Sequence, residues 1–504
     1  MEQASVAYLL GLLVLFWGSW GEPRELPYWI PVLGHGPAFF KSSSALLAKA
    51  SNYFGTGTRD PFAITLFGST MYVVTNPQHT VEVYRNEKTL SFDEFAQDLV
   101  RTNGYSEEAI KASYMNQPKE KLGFPNPRGV SFGVFVRQMH IHQLHPGENL
   151  RGIENRFVEW YESNLLLSAV QRLSPACKMN SGDVKISVTV PLMAWVSDYS
   201  TSAGAFAYFG DTLRSIDPSL TSIFIEFDDV SWQVLYQYPV LLSRKLTHTR
   251  KHMMRTFKEY LRIPQTQRNG CVWLLKAMED EARAIGVGDD DIAVLYFNIY
   301  WLINTNTRKI AFWVLSYLLH RAPTLIELIR TEMGPAFREN HLVDLNHLYN
   351  SCPTLDNVWH ESLRLCSNAA SVRLIQEDTI IGGKLMRKGN RIMIPYRLLH
   401  LNEDIYGPEP NEFRPERFSD ENGTFRSDIT RGPSWRPFGG GKSLCTGRFI
   451  AKRATLIFIA TVLHRFDIQL VREQGLPEAD LGRPVLGIPG AKKEKSHLVK
   501  LTSR

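Results

Sequence analysis

Cysteine is scarce in this sequence. The 504 residues include five cysteines, and no two of them form a C-x-x-C pair. They are Cys177, Cys271, Cys352, Cys366 and Cys445. Five scattered cysteines do not make the framework of a disulfide-stabilised protein. The pattern favours a reducing compartment for the folded body.

The sequence also lacks a strong charge imbalance and an internal repeat. Lysine and arginine total 57 against 51 acidic residues, so the formal net charge is +6, spread along the chain. A dedicated nucleic-acid binder concentrates its basic residues on one face, so we expect no nucleic-acid partner. The mild excess is compatible with an anionic membrane surface or an acidic protein partner. With 44% hydrophobic and 21% charged residues, the composition excludes a mainly disordered or fibrous chain.

One long apolar run is present, from Ala4 to Trp20. Its 17 residues are at the short limit for a membrane span. A cleaved signal peptide would have a basic first segment and small residues at its cleavage site. Here the first three residues carry no basic side chain, and the run ends in Trp17 and Trp20. We therefore predict an uncleaved transmembrane anchor over residues 1–22, although charge alone does not give its orientation.

The rest of the chain shows a proline-rich start and no later linker. Residues 23–55 are predicted to form a hinge that leads into the body, because closely spaced prolines prevent a continuous helix. Residues 56–504 contain no long low-complexity segment after residue 60 and are predicted to form one large domain. The expected fold class is mostly α with small β-sheets.

Local patterns place the main elements of this domain. The strongest helix is predicted from Asp289 to about Arg321, where aspartates cap its start and Pro323 follows its end. At 1.5 Å per residue it is roughly 45–50 Å long and can cross a whole domain. The other predicted elements are helices near 151–170, 220–262, 270–285 and 445–465, strands within 62–76 (turning at Gly68-Ser69) and 374–395, and an irregular loop over 409–440.

The segment F-G-G-G-K-S-L-C-T-G-R, Phe438 to Arg448, carries the clearest chemical signal. Cys445 lies among four glycines, and a helical pattern is predicted to begin at the cysteine. Glycines allow the backbone to approach a flat ligand, and a helix N-terminus stabilises a thiolate. One thiolate without further ligands fits an axial haem ligand better than a zinc site, which takes four.

Two other interpretations of this segment are weaker. A glycine-rich loop before a helix can bind phosphate, but G-x-x-x-x-G-K-[ST] is not matched, because no glycine stands at the required position between Pro433 and Phe438. A buried structural cysteine is the commonest role for a single cysteine. That role does not explain the surrounding glycines.

The same segment closely resembles the haem-binding signature F-x-x-G-x-x-x-C-x-G of cytochrome P-450 proteins. Phe438, Gly441, Cys445 and Gly447 occupy its fixed positions. The resemblance implies a haem b cofactor with Cys445 as the ligand of its iron. It also implies the cytochrome P-450 fold with an N-terminal membrane anchor, and a haem-thiolate catalytic domain over residues 56–504.

Two further family elements, E-x-x-R and P-E-R-F, precede the signature in the expected order. By itself a Glu–Arg pair at i, i+3 is more often a solvated surface bridge. The resemblance implies instead that Glu361, Arg364 and Arg417 form a buried network that supports the cysteine loop. A buried charge cluster of this kind is tolerable only when it is fully paired.

The long helix departs from the family at its oxygen-handling element, usually [AG]-G-x-[DE]-T-[ST]. This chain has I-N-T-N-T-R, in which Thr307 matches the threonine, Asn306 replaces the acid and Asn304 replaces a glycine. The context resembles the branch that contains sterol 7α-hydroxylases and prostacyclin synthase. The resemblance implies that Thr307 and Asn306 manage oxygen and water in catalysis. The alternative is that both side chains only satisfy the helix backbone locally.

Arginines near the cysteine loop are candidates for binding the haem propionates. The resemblance implies this role for Arg373 and Arg436, since arginine suits bidentate recognition of carboxylates. The family's usual W-x-x-x-R element is not found. The side chains of that region that remain as candidates are Phe135, Arg137, His140, His142 and His145. The sequence does not show which of them replaces it.

These features predict a membrane-anchored haem-thiolate monooxygenase that inserts one oxygen atom from O2 into an apolar, sterol-, terpenoid- or alkaloid-like molecule. The overall resemblance is to a fungal enzyme of secondary metabolite biosynthesis in the endoplasmic reticulum membrane, with its catalytic domain in the cytosol. The sequence has no G-x-G-x-x-G motif, so we expect electrons from NADPH through a separate cytochrome P-450 reductase. The alternatives are a haem-thiolate isomerase or dehydratase that needs no reductase, and a non-catalytic haem-binding membrane protein.

Overall fold

The computed structural model describes residues 21–117, 124–126, 128–180, 186–492 and 497–504. As predicted, the described chain is mostly helical. Its α-helices are α1 (Gly36–Lys41), α2 (Ser43–Phe54), α3 (Pro77–Arg85), α4 (Asp93–Thr102), α5 (Glu107–Tyr114), α6 (Phe132–Leu144), α7 (Glu148–Asn164), α8 (Val170–Leu173), α9 (Leu192–Phe209), α10 (Asp211–Ile216), α11 (Leu220–Asp228), α12 (Trp232–Leu235), α13 (Arg244–Arg262), α14 (Trp273–Ala284), α15 (Asp289–Arg321), α16 (Leu325–Met333), α17 (Leu345–Asn350), α18 (Pro353–Cys366), α19 (Tyr396–His400), α20 (Glu403–Tyr406), α21 (Ser427–Arg431) and α22 (Arg448–Arg465).

The described strands are short and form small sheets, also as predicted. They are β1 (Arg24–Glu25), β2 (Phe62–Leu66), β3 (Ser69–Val73), β4 (Leu90–Ser91), β5 (Lys178–Asn180), β6 (Ser187–Pro191), β7 (Phe337–Arg338), β8 (His341–Leu342), β9 (Ala370–Ile375), β10 (Thr379–Ile381), β11 (Lys384–Met386), β12 (Arg391–Pro395), β13 (Phe466–Leu470) and β14 (Leu498–Ser503). The larger sheet has the order β1-β2-β3-β12-β9-β4 and the next β13-β14-β6-β5, while β10-β11 and β7-β8 form two-stranded sheets.

The predicted strand regions are confirmed with one small shift. β2 and β3 pair antiparallel, and Phe67 and Gly68 form the turn between them with φ of 50° and 81°. This turn lies one residue earlier than predicted. β10 to β12 fall within the predicted region 374–395, and β9 runs into its start. These sheets therefore follow the alternating pattern of the sequence.

α15 has the predicted bounds, but the prediction that aspartates cap its start is wrong, because its N-cap is Gly288 and no side chain makes a capping hydrogen bond. Aspartates fill its first turn, where acidic side chains favour the helix dipole, and it ends before Ala322 and Pro323. No glycine or proline interrupts it, and most of its side chains are buried. It packs against α9, α13, α18 and α22. The helix that carries Asn306 and Thr307 is thus held by the helices of the core.

Two cations in the middle of α15 are buried and paired. Asp228, the last residue of α11, forms salt bridges with Arg308 and, at 2.7 Å, with Lys309. Burial raises the pKa of Asp228, but the adjacent Lys309 and Arg308 outweigh this effect, and the pKa falls below its usual value. Thr305 donates a further hydrogen bond to the same carboxylate. This network joins α11 to α15 and accommodates the charges inside the protein.

The prediction that a helix begins at Cys445 is wrong. α22 begins at Arg448, after Gly447. The backbone N–H of Cys445 donates to the carbonyl of Phe438 at 2.9 Å, and this hydrogen bond closes a loop in place of a helical turn. The cysteine therefore lies in the loop, three residues before the helix.

No helix among the described residues is both long and apolar enough to cross a membrane. Residues 1–20 of the predicted anchor lie outside the described part of the chain. Large apolar side chains are nevertheless exposed soon after it, with Trp29 99% and Val32 72% exposed, and again between α12 and α13, where Leu241 is 88% exposed. A soluble surface rarely gathers such side chains without a function.

Candidate active site

The loop from Phe438 to Arg448 takes its shape from its glycines. Gly439 and Gly441 have φ of 79° and 57°, in the left-handed region that favours glycine. A Cβ added to Gly440 would come within 2.9 Å of the Tyr84 ring. The ring of Phe438 stacks on that of Trp359, with centroids 6.2 Å apart. The glycine pattern thus lets the backbone fold tightly beside α3 and α18.

Cys445 is accessible at its surface, yet enough protein surrounds it for burial to raise the pKa of its thiol. The Gly447 N–H and the Arg448 guanidinium act in the opposite direction and lower that pKa. A bound cation deprotonates a thiol outright. The sulfur is therefore placed for metal ligation, with one N–H group ready to stabilise its negative charge.

Arg373 and Arg436 lie beside the loop, each near the Tyr84 ring. Arg373 donates to the Ser443 hydroxyl at 2.6 Å, and Arg436 donates to the Trp435 carbonyl at 2.9 Å. Both guanidinium groups lie over the Tyr84 ring, at 5.4 and 5.9 Å from its centroid. The Nε atom of each is buried and makes no hydrogen bond within the described chain. Burial lowers the pKa of both arginines. The two guanidinium groups can therefore each donate hydrogen bonds to a carboxylate.

Arg137 is the candidate of that region that hydrogen-bonds to the cysteine loop. It lies on α6 and donates from Nε to the carbonyl of Lys442 at 2.9 Å, so it reaches the cysteine loop directly. Of the other candidates, His145 contacts Arg448 at 3.4 Å. Arg137 stands four residues after Gly133, where the family pattern has tryptophan and then arginine. Its spacing from Gly133 is that of the arginine from the tryptophan in W-x-x-x-R.

The E-x-x-R pair is fully buried. Arg364 donates from Nε and Nη2 to the two carboxylate oxygens of Glu361, both at 2.7 Å. Arg417 lies 3.5 Å from the same carboxylate. Arg364 also donates to the carbonyls of His400 and Pro410, at 2.8 and 2.7 Å. The structure thus brings together the three residues that the sequence predicted as one network.

His400 links this network to the cysteine loop, and sequence analysis missed it. Its carbonyl accepts from Arg364, and its Nε2 accepts from the backbone N–H of Arg436 at 3.0 Å. Burial, together with the nearby Arg364, lowers the pKa of His400 to about 3, which keeps the ring neutral and Nε2 free to accept. No motif identifies this residue, because its role depends on two partners 36 residues away in either direction along the chain.

Asn306 and Thr307 differ in how they are held. The Thr307 hydroxyl donates to the carbonyl of Ile303 at 3.0 Å, the local bond that the sequence left as an alternative. Asn306 instead accepts from the backbone N–H of Ile488 at 2.9 Å. A Cβ on Gly487 would lie 2.6 Å from the Asn306 oxygen, so only glycine permits this approach. Asn306 is therefore oriented by a distant loop, with Oδ1 toward that loop, and its amide N–H groups donate to no group of the described residues.

The donors around Cys445 fit a haem. An accessible cysteine sulfur, arginines with buried, unsatisfied Nε–H groups and a glycine-rich loop match a flat ligand with a metal centre and carboxylates. The family model described as Cytochrome P450 matches residues 23–493.

The chain belongs to the cytochrome P450 family. P450 proteins bind haem through a cysteine thiolate, and haem is the cofactor of this chain. Named relatives are monooxygenases, and the chain is an enzyme of this P450 monooxygenase family. Such enzymes use O2, an organic substrate and a redox partner.

Similar P450 proteins occur in fungi and animals. The chain is 23% identical to the cytochrome P450 monooxygenase poxD of Penicillium oxalicum, over 89% of this chain and 88% of that one. It is 25% identical to the 7-alpha-hydroxycholest-4-en-3-one 12-alpha-hydroxylase of Homo sapiens, over 90% and 87%. It is 24% identical to the cytochrome P450 7B1 of Mus musculus, over 92% and 88%.

The shared fold extends to solved structures. The structure of retinoic acid bound cyanobacterial CYP120A1 matches with a TM-score of 0.68 and 18% identity, covering 97% of this chain and 100% of that one. The predicted P450 fold, mostly helical with small sheets, is thereby confirmed.

Proposed function

We propose that this P450 inserts one oxygen atom from O2 into an apolar small molecule of the sterol, terpenoid or alkaloid type, in secondary metabolite biosynthesis. The observation that carries the proposal is Thr307 on α15, the family's oxygen-handling threonine, in a chain that keeps the complete cysteine loop. Similarity to a fungal monooxygenase and to a steroid 12-alpha-hydroxylase supports the substrate class.

In this proposal the Cys445 thiolate would ligate the haem iron. Arg373, Arg436 and Arg137 would hold the propionates, since all three guanidinium groups reach the cysteine loop or its flank. Gly441 and Gly447 add no side chain at their positions in the loop. Haem supplies the iron chemistry that activates oxygen, and the thiolate favours O–O cleavage.

In this proposal, side chains of α15 deliver protons to the reaction. The Thr307 hydroxyl donates to the Ile303 carbonyl of its own helix turn. If the side chain rotates, this local hydrogen bond breaks and the hydroxyl can donate into the active site. Asn306 cannot donate a proton as an acid would. Because its oxygen is engaged by Ile488, it offers N–H groups that can order water. Water therefore supplies the protons, and Thr307 passes them on.

Electrons would come from NADPH through cytochrome P450 reductase. Lys442 in the cysteine loop is exposed and suits an acidic partner. The Lys442 Nζ atom lies 2.5 Å from a carboxylate oxygen of Glu87. This ion pair is exposed and therefore weak, so an acidic partner can replace Glu87.

We further propose that residues 1–22 anchor the enzyme in the endoplasmic reticulum membrane by a single span, with residues 23–55 as a proline-rich hinge and entry segment and the catalytic domain, residues 56–504, in the cytosol. The exposed Trp29 and Val32 directly follow the apolar run Ala4 to Trp20 and support this arrangement. Tryptophan at such a position suits the boundary between lipid and water.

Thr307→Ala tests the proposed reaction. We expect NADPH consumption to continue with reductase present, while product per NADPH falls by roughly tenfold or more, because a positioned proton donor contributes about 10²–10⁴ in rate. Thr307→Ser should keep most of the coupling. The measurement is product and hydrogen peroxide per NADPH, with an apolar compound selected by a binding screen of sterols and terpenoids.

The same assay separates the alternative enzyme class. Product formed without NADPH and reductase, and unaffected by Thr307→Ala, would identify an isomerase or dehydratase and contradict the proposal. The local bond between Thr307 and Ile303 is the observation that favours this second class. A haem-binding protein without catalysis would turn over no compound of the screen.

A further inference from the structure

A cavity of about 370 Å³ lies between α4, α13 and the segment that joins α12 to α13. Gln233, Gln237 and Thr247 contribute polar side chains to its lining, and Leu246 contributes an apolar one. Arg250, on α13, also lines it. Most of the lining side chains are polar, so the cavity suits the polar end of a ligand better than its apolar body.

Arg250 is the one charged lining residue without a counter-ion within the described chain. Asp98 and Arg101, which also line the cavity, pair with each other at 2.6 Å. Arg250 donates only to the carbonyl of Thr102, so most of its N–H donors remain unused. It is half-buried, and burial alone lowers its pKa, with no neighbouring carboxylate acting in the other direction. The guanidinium still stays charged, because arginine does not deprotonate in proteins.

The position of this cavity relative to Thr307 follows from one hydrogen bond. Asn103, next to Thr102, donates to Asn298 of α15 at 2.6 Å. Asn298 precedes Thr307 by nine residues. At 1.5 Å per residue the two lie about 13 Å apart along the helix axis. This axial separation is within the length of a sterol molecule.

We propose that Arg250 binds a carboxylate at the far end of an elongated apolar substrate. This inference rests on the proposed monooxygenase function and specifies that the substrate carries a carboxylate. A carboxylate accepts two parallel hydrogen bonds from a guanidinium and neutralises its charge. Anchoring one end of the molecule in this way fixes which carbon lies near Thr307, so Arg250 determines the position of oxidation.

The test measures binding to the resting haem-loaded enzyme, without NADPH or reductase. The probes are dodecanoate and cholan-24-oate, each compared with its own methyl ester, which keeps the shape and removes the charge. The readout is the change in the haem absorption spectrum on titration. We expect each acid to bind at least tenfold more tightly than its ester, as a charge-assisted hydrogen bond requires.

Arg250→Gln should remove this preference for the acid, with acid affinity falling at least tenfold and ester affinity unchanged. Arg255→Gln is the matched control, an exposed arginine on the same helix that does not line the cavity, and it should keep the preference. Equal haem content in the three proteins establishes that folding is unaffected.

Two results would overturn the inference. One is a wild-type enzyme that binds neither acid more tightly than its ester. The other is an acid preference that survives Arg250→Gln. Neither result bears on monooxygenase activity, which is measured separately by product per NADPH. Conversely, an enzyme that shows the acid preference but no NADPH-dependent product would contradict the proposed reaction and leave the carboxylate site in place.

Discussion

Glu361→Gln is expected to yield protein that does not retain haem. The Glu361 carboxylate accepts two hydrogen bonds from Arg364 and lies 3.5 Å from Arg417, all within the protein interior. Removing its charge leaves two buried guanidinium groups without a counter-ion. Breaking a buried pair in this way costs about 3–5 kcal/mol. That is a large fraction of the about 5–15 kcal/mol by which a typical domain is stable.

We expect the loss of structure to be greatest at the cysteine loop, because the network binds the segments that precede this loop. Arg364 binds the His400 carbonyl, and His400 in turn binds the Arg436 backbone. Haem content per protein and the thermal unfolding midpoint are the measurements. Glu416→Gln, an exposed change in the same P-E-R-F element, is the control and should lose neither. Full haem content and an unchanged midpoint in Glu361→Gln would contradict this role for the network.

Gly487→Ala is expected to uncouple the enzyme while leaving haem bound. The new Cβ would lie 2.6 to 2.8 Å from three side-chain atoms of Asn306. The loop cannot easily retreat, because the Trp313 indole donates to the Pro489 carbonyl at 2.8 Å and the Asn368 N–H donates to the Gly487 carbonyl at 2.9 Å. Asn306 must therefore turn and lose its bond to Ile488. We expect product per NADPH to fall roughly tenfold, since proton delivery depends on positioned groups.

Gly490→Ala provides a matched control three residues further along the same loop. A Cβ there meets no atom within 4 Å, so this change should preserve both haem content and coupling. Asn306→Asp should keep the geometry, because a carboxylate oxygen can accept the same bond from Ile488. If Gly487→Ala couples NADPH to product as well as Gly490→Ala does, the orientation of Asn306 has no part in the reaction.

Much of this site follows from local sequence. The glycines around Cys445, the i, i+3 spacing of Glu361 and Arg364, and the aspartates in the first turn of the long helix each favour a nearby backbone or side-chain geometry. The bounds of α15 are the clearest example, because aspartates fill its first turn and Pro323 follows its end, although its N-cap is Gly288 and no side chain caps it.

The remaining parts depend on contacts that no local pattern encodes. Arg137 and Lys442 are 305 residues apart, and Asn306 and Ile488 are 182 apart. Their pairing exists only once the helices have packed. The start of α22 was mispredicted for the same reason, since the bond from Cys445 to Phe438 competes with helix formation at the cysteine. Local helical pattern does not reveal such a competitor.

The absorption spectrum of the reduced, carbon monoxide-bound enzyme tests the central claim, that the Cys445 sulfur ligates the haem iron. The account predicts that the wild-type protein shows the long-wavelength Soret band of thiolate-ligated haem, the band that gives the family its name. It predicts that Cys445→Ser loses this band even when haem is bound in full. A haem-loaded Cys445→Ser protein that keeps the band, or a wild-type protein that never shows it, would contradict the account.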